Sequence, residues 1–363
     1  MSPEAVAGFA PLEVCAVVLT YNRKDMLERC LAALAAQTRR CDRIIVVDNA
    51  SIDGTAAMLG DRWQHLVDIY SLRSNVGAAG GFNIGMRLAY GLGADFIWSM
   101  DDDVICEPDA LEQLLLAHDL LDRRQIAPPY LVSVPRSTTG QLTEVPHIDQ
   151  RRNVLGFPNW PELLDHGLAP TLGATFASIL LPRETLRVHG LPIASMFIFG
   201  EDREFTVRVT RRTPGYLVGA SRVLHARKLE GVLSTLNETG AVRLGYHYYL
   251  HRNTTSTVLR YDDWPRIGLH LWRQTAMLLK LLARGQLRRA WILAAGTAVG
   301  VFYRPRPERA DAALDASCLR AAPQVAADEP ERDEVAQQEE IRRFEKGCAA
   351  GSNALPIAAS TSL

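Results

Sequence analysis

ADFIWSMDDDV, residues 94–104, runs from an apolar stretch straight into three consecutive aspartates. Residues 94–100 are short and apolar, which predicts a buried strand. Asp101, Asp102 and Asp103 then fall at its carboxyl end, where like charges repel unless something positive offsets them. A hard divalent cation, magnesium or manganese, held by carboxylates and substrate phosphates, would do so. A solvated acidic turn is the other reading of a bare DDD.

Upstream the same rhythm repeats. Residues 13–21 (EVCAVVLTY) and 43–48 (RIIVVD) are apolar, β-branched runs, and 66–72 (LVDIYSL) suggest a further strand. Between them, 25–37 and 51–60 have helical character, and the glycine-rich turn NVGAAGGFN (75–83) opens a helix to about Leu92. Alternating strands and helices predict βαβ units, an α/β fold with a mostly parallel central sheet. Ligands of such sheets bind beyond the carboxyl ends of the strands. Thr20, Asp48 and Asp101 all fall there. Asp48 could accept hydrogen bonds from a nucleobase or ribose, or could cap a helix toward Thr55. The glycine turn lacks the spacing of a dinucleotide fingerprint and the G-K-[ST] of a phosphate loop.

Downstream, 127–170 are rich in proline and loop formers and are expected to form an irregular excursion. Residues 196–212 (MFIFGEDREFTVRVTRR) predict a strand end, an acidic turn and a helix, and 216–225 (YLVGASRVLH) another strand. Glu201, Asp202 and Glu204 form a second acidic cluster. One of them suits a general base that takes the proton of an attacking hydroxyl, although acids also favour helix N-termini. His225 ends the next strand, as a packed residue or a further metal ligand.

These pieces together resemble glycosyltransferase family 2, the GT-A fold: AVVLTYNR (16–23), IIVVDNAS (44–51), NVGAAGGFNIGM (75–86), WSMDDDV (98–104), FIFGEDREF (197–205) and VLH (223–225). Within it, NVGAAGGFN followed by W-x-x-DDD is most similar to bacterial galactofuranosyltransferases and the related rhamnosyltransferases. The resemblance implies an inverting transfer from a UDP- or dTDP-sugar to a glycan or polyprenyl-diphosphate-linked acceptor in cell-envelope polysaccharide synthesis. It implies donor contacts from Thr20, Asn22, Asp48, Asn75, Gly77, Asp101 and Asp102. It implies a Mn²⁺ or Mg²⁺ site at Asp101, Asp103 and His225, and Asp202 as the base, with Glu201 the alternative. The Q-x-x-R-W motif of processive synthases is missing, so transfer of one or a few sugars is expected. A nucleotidyltransferase and a non-catalytic sugar-binding relative are the competing readings.

The rest of the 363-residue chain sets the context. Forty basic residues against 41 acidic ones give no excess that would point to a nucleic-acid partner. The first residues lack a basic and apolar leader pattern, and no uncharged apolar run reaches the ~20 residues of a spanning helix. Six scattered cysteines without a C-x-x-C pair suit reduced thiols. The expected location is therefore cytoplasmic, with a peripheral position on the inner face of the plasma membrane. The expected division is an N-terminal tail at 1–12, the GT-A domain at 13–260, an amphipathic helical region at 261–305 and a charged, disordered tail at 306–363. Residues 264–303 mix tryptophan and leucine with Arg266, Arg273, Lys280, Arg284, Arg288 and Arg289. Contact with an anionic membrane surface and packing against the protein both stay open for this segment, as does assembly into a homo-oligomer.

Overall fold

Val14–Thr20, Arg43–Asp48 and Phe96–Asp101 are wholly or almost wholly buried strands, as continuous apolar runs between covering helices should be. The structure, a computed structural model, describes residues 12–227 and 234–320. These fall into two compact units, one built from 12–227 and 305–320, the other from 234–304.

In the first unit the elements follow as β1 (Val14–Thr20), α1 (Lys24–Ala35), β2 (Arg43–Asp48), α2 (Thr55–Met58), β3 (Asp68–Ser71), α3 (Gly77–Gly91), β4 (Phe96–Asp101), β5 (Val104–Cys106), α4 (Ala110–Arg123), β6 (Leu131–Arg136), β7 (His147–Ile148), β8 (Leu168–Gly173), β9 (Ile179–Pro182), α5 (Arg183–His189), α6 (Glu201–Val209) and β10 (Gly215–His225). They build one sheet in the order β3-β2-β1-β4-β9-β6-β10-β8-β7, with β5 also on β10. Apolar clusters fill both faces, one around Leu27, Leu31 and Trp98, the other around Phe82, Met86 and Phe205.

The parallel arrangement read from the sequence holds for β3, β2, β1 and β4. Beyond β4 the pattern changes. β9 runs antiparallel to both its neighbours, and β10 is parallel to β6 but antiparallel to β5 and β8. The sheet is therefore mixed. The stretch 127–170 is less irregular than expected, because it supplies β6 to the sheet interior. Thr20 lies opposite Asp48, and Leu19 opposite Asp101, so the three parallel strand ends share one edge.

In the second unit, α7 (Ala241–Tyr261), α8 (Trp264–Ala283) and α9 (Leu287–Phe302) form a helical group. The helical part thus starts before residue 260, where a boundary was expected. The reason is packing: a Cβ at Gly296 or Gly300 of α9 would lie 2.6 Å from a carbonyl oxygen of Tyr248 or Arg252 on α7, so the two helices touch backbone to backbone. Likewise 306–320 are no loose tail. Glu308 and the carbonyls of Arg309 and Ala312 bind the buried Arg87 side chain, and Leu319 bridges to Leu72 beside β3. The remainder of the expected disordered tail, 321–363, lies outside the described residues.

Candidate active site

At the shared strand edge, Thr20 donates its hydroxyl to Asp102 Oδ2 at 2.8 Å. Arg23, just past β1, reaches Asp102 Oδ1 at 3.2 Å and Asp103 Oδ2 at 2.5 Å. His225, the last residue of β10, lies across from β5, with Nε2 3.0 Å from Asp103 Oδ1. Its Nδ1 is 3.2 Å from Glu144 Oε2. Ligand atoms of Asp101, Asp103 and His225 all fall within 4.8 Å of one another.

The electrostatics show a site that needs positive charge. Burial, together with the Asp103 charge, pushes Asp101 up to about 8 against the pull of His225. Burial raises Asp102 to about 6, opposed by Arg23. Burial also works against ionised Asp103, but His225 and Arg23 outweigh it and hold it below the usual carboxylate range. Burial disfavours charge on His225, yet Asp103 and Glu144 lift it to about 10. With no cation bound, a proton on Asp101, an imidazolium and a guanidinium supply the offset. Asp103 Oδ1 and His225 Nδ1 are buried without a well-formed hydrogen bond. Two carboxylates and an imidazole, once their protons are given up, fit a hard divalent ion.

The acidic turn is built by strain. Phe197, Phe199 and Gly200 all have φ between 62° and 93°, a left-handed region costly for the two phenylalanines. Gly77 is what lets this turn approach. It has φ +75°, and a Cβ there would sit 2.1 Å from the Phe197 carbonyl oxygen. That oxygen accepts from Ala79 N–H at 2.9 Å. Glu201 and Asp202 open α6 immediately after the turn. Glu201 is buried, its Oε2 unpaired, and burial with Asp202 nearby keeps its carboxyl far above the ordinary range. Asp202 is half-buried; burial raises it to about 6, opposed by the Arg203 N–H at 2.6 Å. Glu204, the third acid, is committed to Arg208 at 3.0 Å.

The remaining candidates cluster beside β2. Asp48 is fully buried; Oδ1 accepts from Ser51 N–H at 2.9 Å and Oδ2 has no partner. Thr55 is capped by Asp53 rather than by Asp48. Asn22 ties the β1–α1 turn to this loop, accepting from Ile52 N–H at 2.8 Å. Asn75 accepts from Gly77 N–H at 2.8 Å and from Asn49 Nδ2 at 3.0 Å. Asn49, Arg23 and Glu144 belong to this architecture without having been singled out by motif. Asn49 and Arg23 sit inside IIVVDNAS and AVVLTYNR, so their signal was present; Glu144 had none.

Residues 15–159 match the family model "Glycosyl transferase family 2", and this segment is a domain of that family. The fold resembles GT-A glycosyltransferases: a solved structure of S. aureus TarS 1–349 superposes with TM-score 0.52 at 16% identity, covering 94% of this chain and 92% of that one. Among curated proteins, galactofuranosyltransferase GlfT1 of Mycobacterium tuberculosis is 32% identical over 202 residues, which cover 54% of this chain and 64% of that protein. GlfT1 of Mycolicibacterium smegmatis is 29% identical over 201 residues, covering 54% and 65%. The match therefore spans just under two thirds of these relatives' length.

Proposed function

We propose that the protein is an inverting glycosyltransferase that moves a galactofuranosyl residue from its UDP donor to a glycan or polyprenyl-diphosphate-linked acceptor in cell-envelope polysaccharide synthesis. The observation that carries this is the convergence of Asp101, Asp103 and His225 on the same sheet edge as Thr20 and Asp48. The names of the GlfT1 relatives support the choice of sugar.

In this reading Asp48 offers its unpaired Oδ2 to the nucleobase or ribose, a buried acceptor being costly unless it is met by a donor. Thr20, Asn22, Asn75 and Gly77 shape the nucleotide side, and Asp101 and Asp102 face the donor. Asp101, Asp103 and His225 hold Mn²⁺ or Mg²⁺. When bound, such an ion stabilises charge on the departing diphosphate. Asp202 takes the acceptor hydroxyl proton: at neutral pH it is ionised, whereas Glu201 keeps its own proton and is a poor base. Arg23 holds Asp102 and Asp103 in place and offsets their charge.

The acceptor lipid accounts for the second unit's outer surface. Residues 264–303 contain no acid. On α8, Trp264 is 84% and Trp272 66% exposed, while few residues of that helix are buried. Such a face suits an anionic bilayer, and the protein would sit peripherally on the inner leaflet. No helix among the described residues is long and apolar enough to cross a membrane.

The test is a donor screen of UDP-galactofuranose, dTDP-rhamnose and other nucleotide sugars, with manganese and with a chelator. Transfer from UDP-galactofuranose that is lost on chelation and restored by metal is expected. Turnover of a nucleoside triphosphate with pyrophosphate release would instead identify a nucleotidyltransferase, and full activity in chelator would remove the metal from the reading.

A further inference from the structure

Glu144 lies in a stretch of chain with no motif, yet both its carboxylate oxygens are engaged at the site edge. Oε1 accepts from Arg227 Nη1 at 2.7 Å. Oε2 accepts from Thr175 Oγ1 at 3.2 Å and lies 3.2 Å from His225 Nδ1. The three partners come from two other segments, 31 to 83 residues away in sequence. The Glu144 backbone has φ +46°. A glutamate seldom adopts that region, and strained residues of this kind persist where surrounding contacts over-determine them, often at functional sites.

We propose that Glu144 is the positioning residue for His225: its Oε2 lies 3.2 Å from Nδ1, close though not in line for a full hydrogen bond, and its charge draws the Nδ1–H toward it so that Nε2 faces Asp103 and the cation place. This rests on the metal reading above. A histidine that binds a metal through one nitrogen commonly donates the other N–H to a carboxylate, which fixes the tautomer and ring orientation and raises ligand basicity. Here the carboxylate is itself oriented by Arg227 and Thr175, so the ring is supported from a rigid base. His225 is buried between Asp103 on one nitrogen and Glu144 on the other, with no third carboxylate paired to it among the described contacts.

The experiment is manganese binding by calorimetry to the full chain, without donor or acceptor, for the parent, Glu144→Ala, Glu144→Gln, His225→Gln and the Glu144→Ala/His225→Gln pair. Thermal melting of each variant controls for folding. Loss of such a supporting carboxylate typically weakens affinity on the order of 10- to 100-fold. Glu144→Ala is expected to show that loss, and Glu144→Gln, which keeps an acceptor for Nδ1–H, to recover part of it. The double variant should bind no worse than His225→Gln alone, because Glu144 acts only through that ring. Parent-like affinity in Glu144→Ala, or losses that simply add in the double variant, would overturn the inference while leaving the metal site standing. Undiminished binding by His225→Gln, or none by the parent, would overturn the metal reading itself and this inference with it.

Discussion

The two acids that open α6 differ by one residue in sequence and greatly in chemistry. Glu201 points its carboxyl into protein and keeps a proton, while half-buried Asp202 sheds its own at about 6. Asp202→Asn keeps the size and removes the proton acceptor. Turnover should fall on the order of a hundred- to ten-thousand-fold with donor affinity nearly unchanged, and Glu201→Gln should be milder. A dead Glu201→Gln beside an active Asp202→Asn would exchange the roles. The sign of the pH dependence follows: a base must be ionised, so kcat should rise with pH through an apparent value near 6 and level off above it. A second outcome concerns protons at the DDD edge. Asp101 is raised to about 8 and His225 to about 10 without a cation, so at pH 7 both carry protons that a metal must displace. Manganese titrations in buffers of different ionisation enthalpy should show net proton release. Uptake, or none, would mean that the ion binds elsewhere. The places of Asp101 to Asp103, Asp202 and His225 in the fold were legible, because each follows a recognisable strand or turn. Glu144 was not, since tertiary contacts alone bring it to His225.

At the level of elements, α3 owes its position to its glycines. A Cβ at Gly81 would meet Leu19 at 2.3 Å, and one at Gly85 would meet Val17 at 2.4 Å, so the helix rides directly on β1. Gly85→Ala removes a helix-weakening glycine yet overpacks a closed interface. Overpacking of this kind costs about 1–3 kcal/mol, more than the ~1 kcal/mol gained from helix propensity. The variant should melt lower than the parent; a higher melting temperature would show that α3 can shift. Elements in 13–101 were legible because parallel, doubly covered strands are unbroken apolar runs. β6 was masked by Pro135. That residue pairs with Val223 of β10 but lies beyond the two residues of β6 paired with β9, so its missing N–H leaves no ladder bond unmade there. α8 divides the two readings of its sequence: Ile267 and Leu281 are buried while Trp264, Trp272 and Leu279 stay exposed. Arg289, by contrast, is structural, donating to the Thr235 carbonyl at 2.8 Å. The clean test of the exposed face is therefore Arg273, Lys280 and Arg284 to glutamate. At about 1 kcal/mol per basic group near an anionic surface, binding to phosphatidylglycerol vesicles should fall on the order of a hundred-fold. Equal binding by mutant and parent would assign that face to a protein contact.

For the whole molecule, chain order and compact units do not coincide: the helical unit interrupts the α/β unit, which resumes at Pro305. Reading from composition alone placed that resumption in a disordered tail, because alanine, proline and charge dominate it. The structure shows what composition hides. The Arg73 N–H donates to the Cys318 carbonyl at 2.9 Å, and the Arg320 N–H donates to the Ser71 carbonyl at 2.8 Å. Residues 318–320 thus lie along β3, the outermost strand on that side of the sheet. An uncovered strand of this kind offers its amides and carbonyls to any other chain, the usual route to edge-to-edge aggregation. Shortening the chain to residue 304, a tempting way to trim an apparent tail, would bare that edge and strip Arg87 of Glu308 and of the Arg309 and Ala312 carbonyls. The trimmed protein should precipitate or self-associate at concentrations where one ending at 320 stays monodisperse by light scattering. Equal behaviour of the two would show that β3 guards its own border.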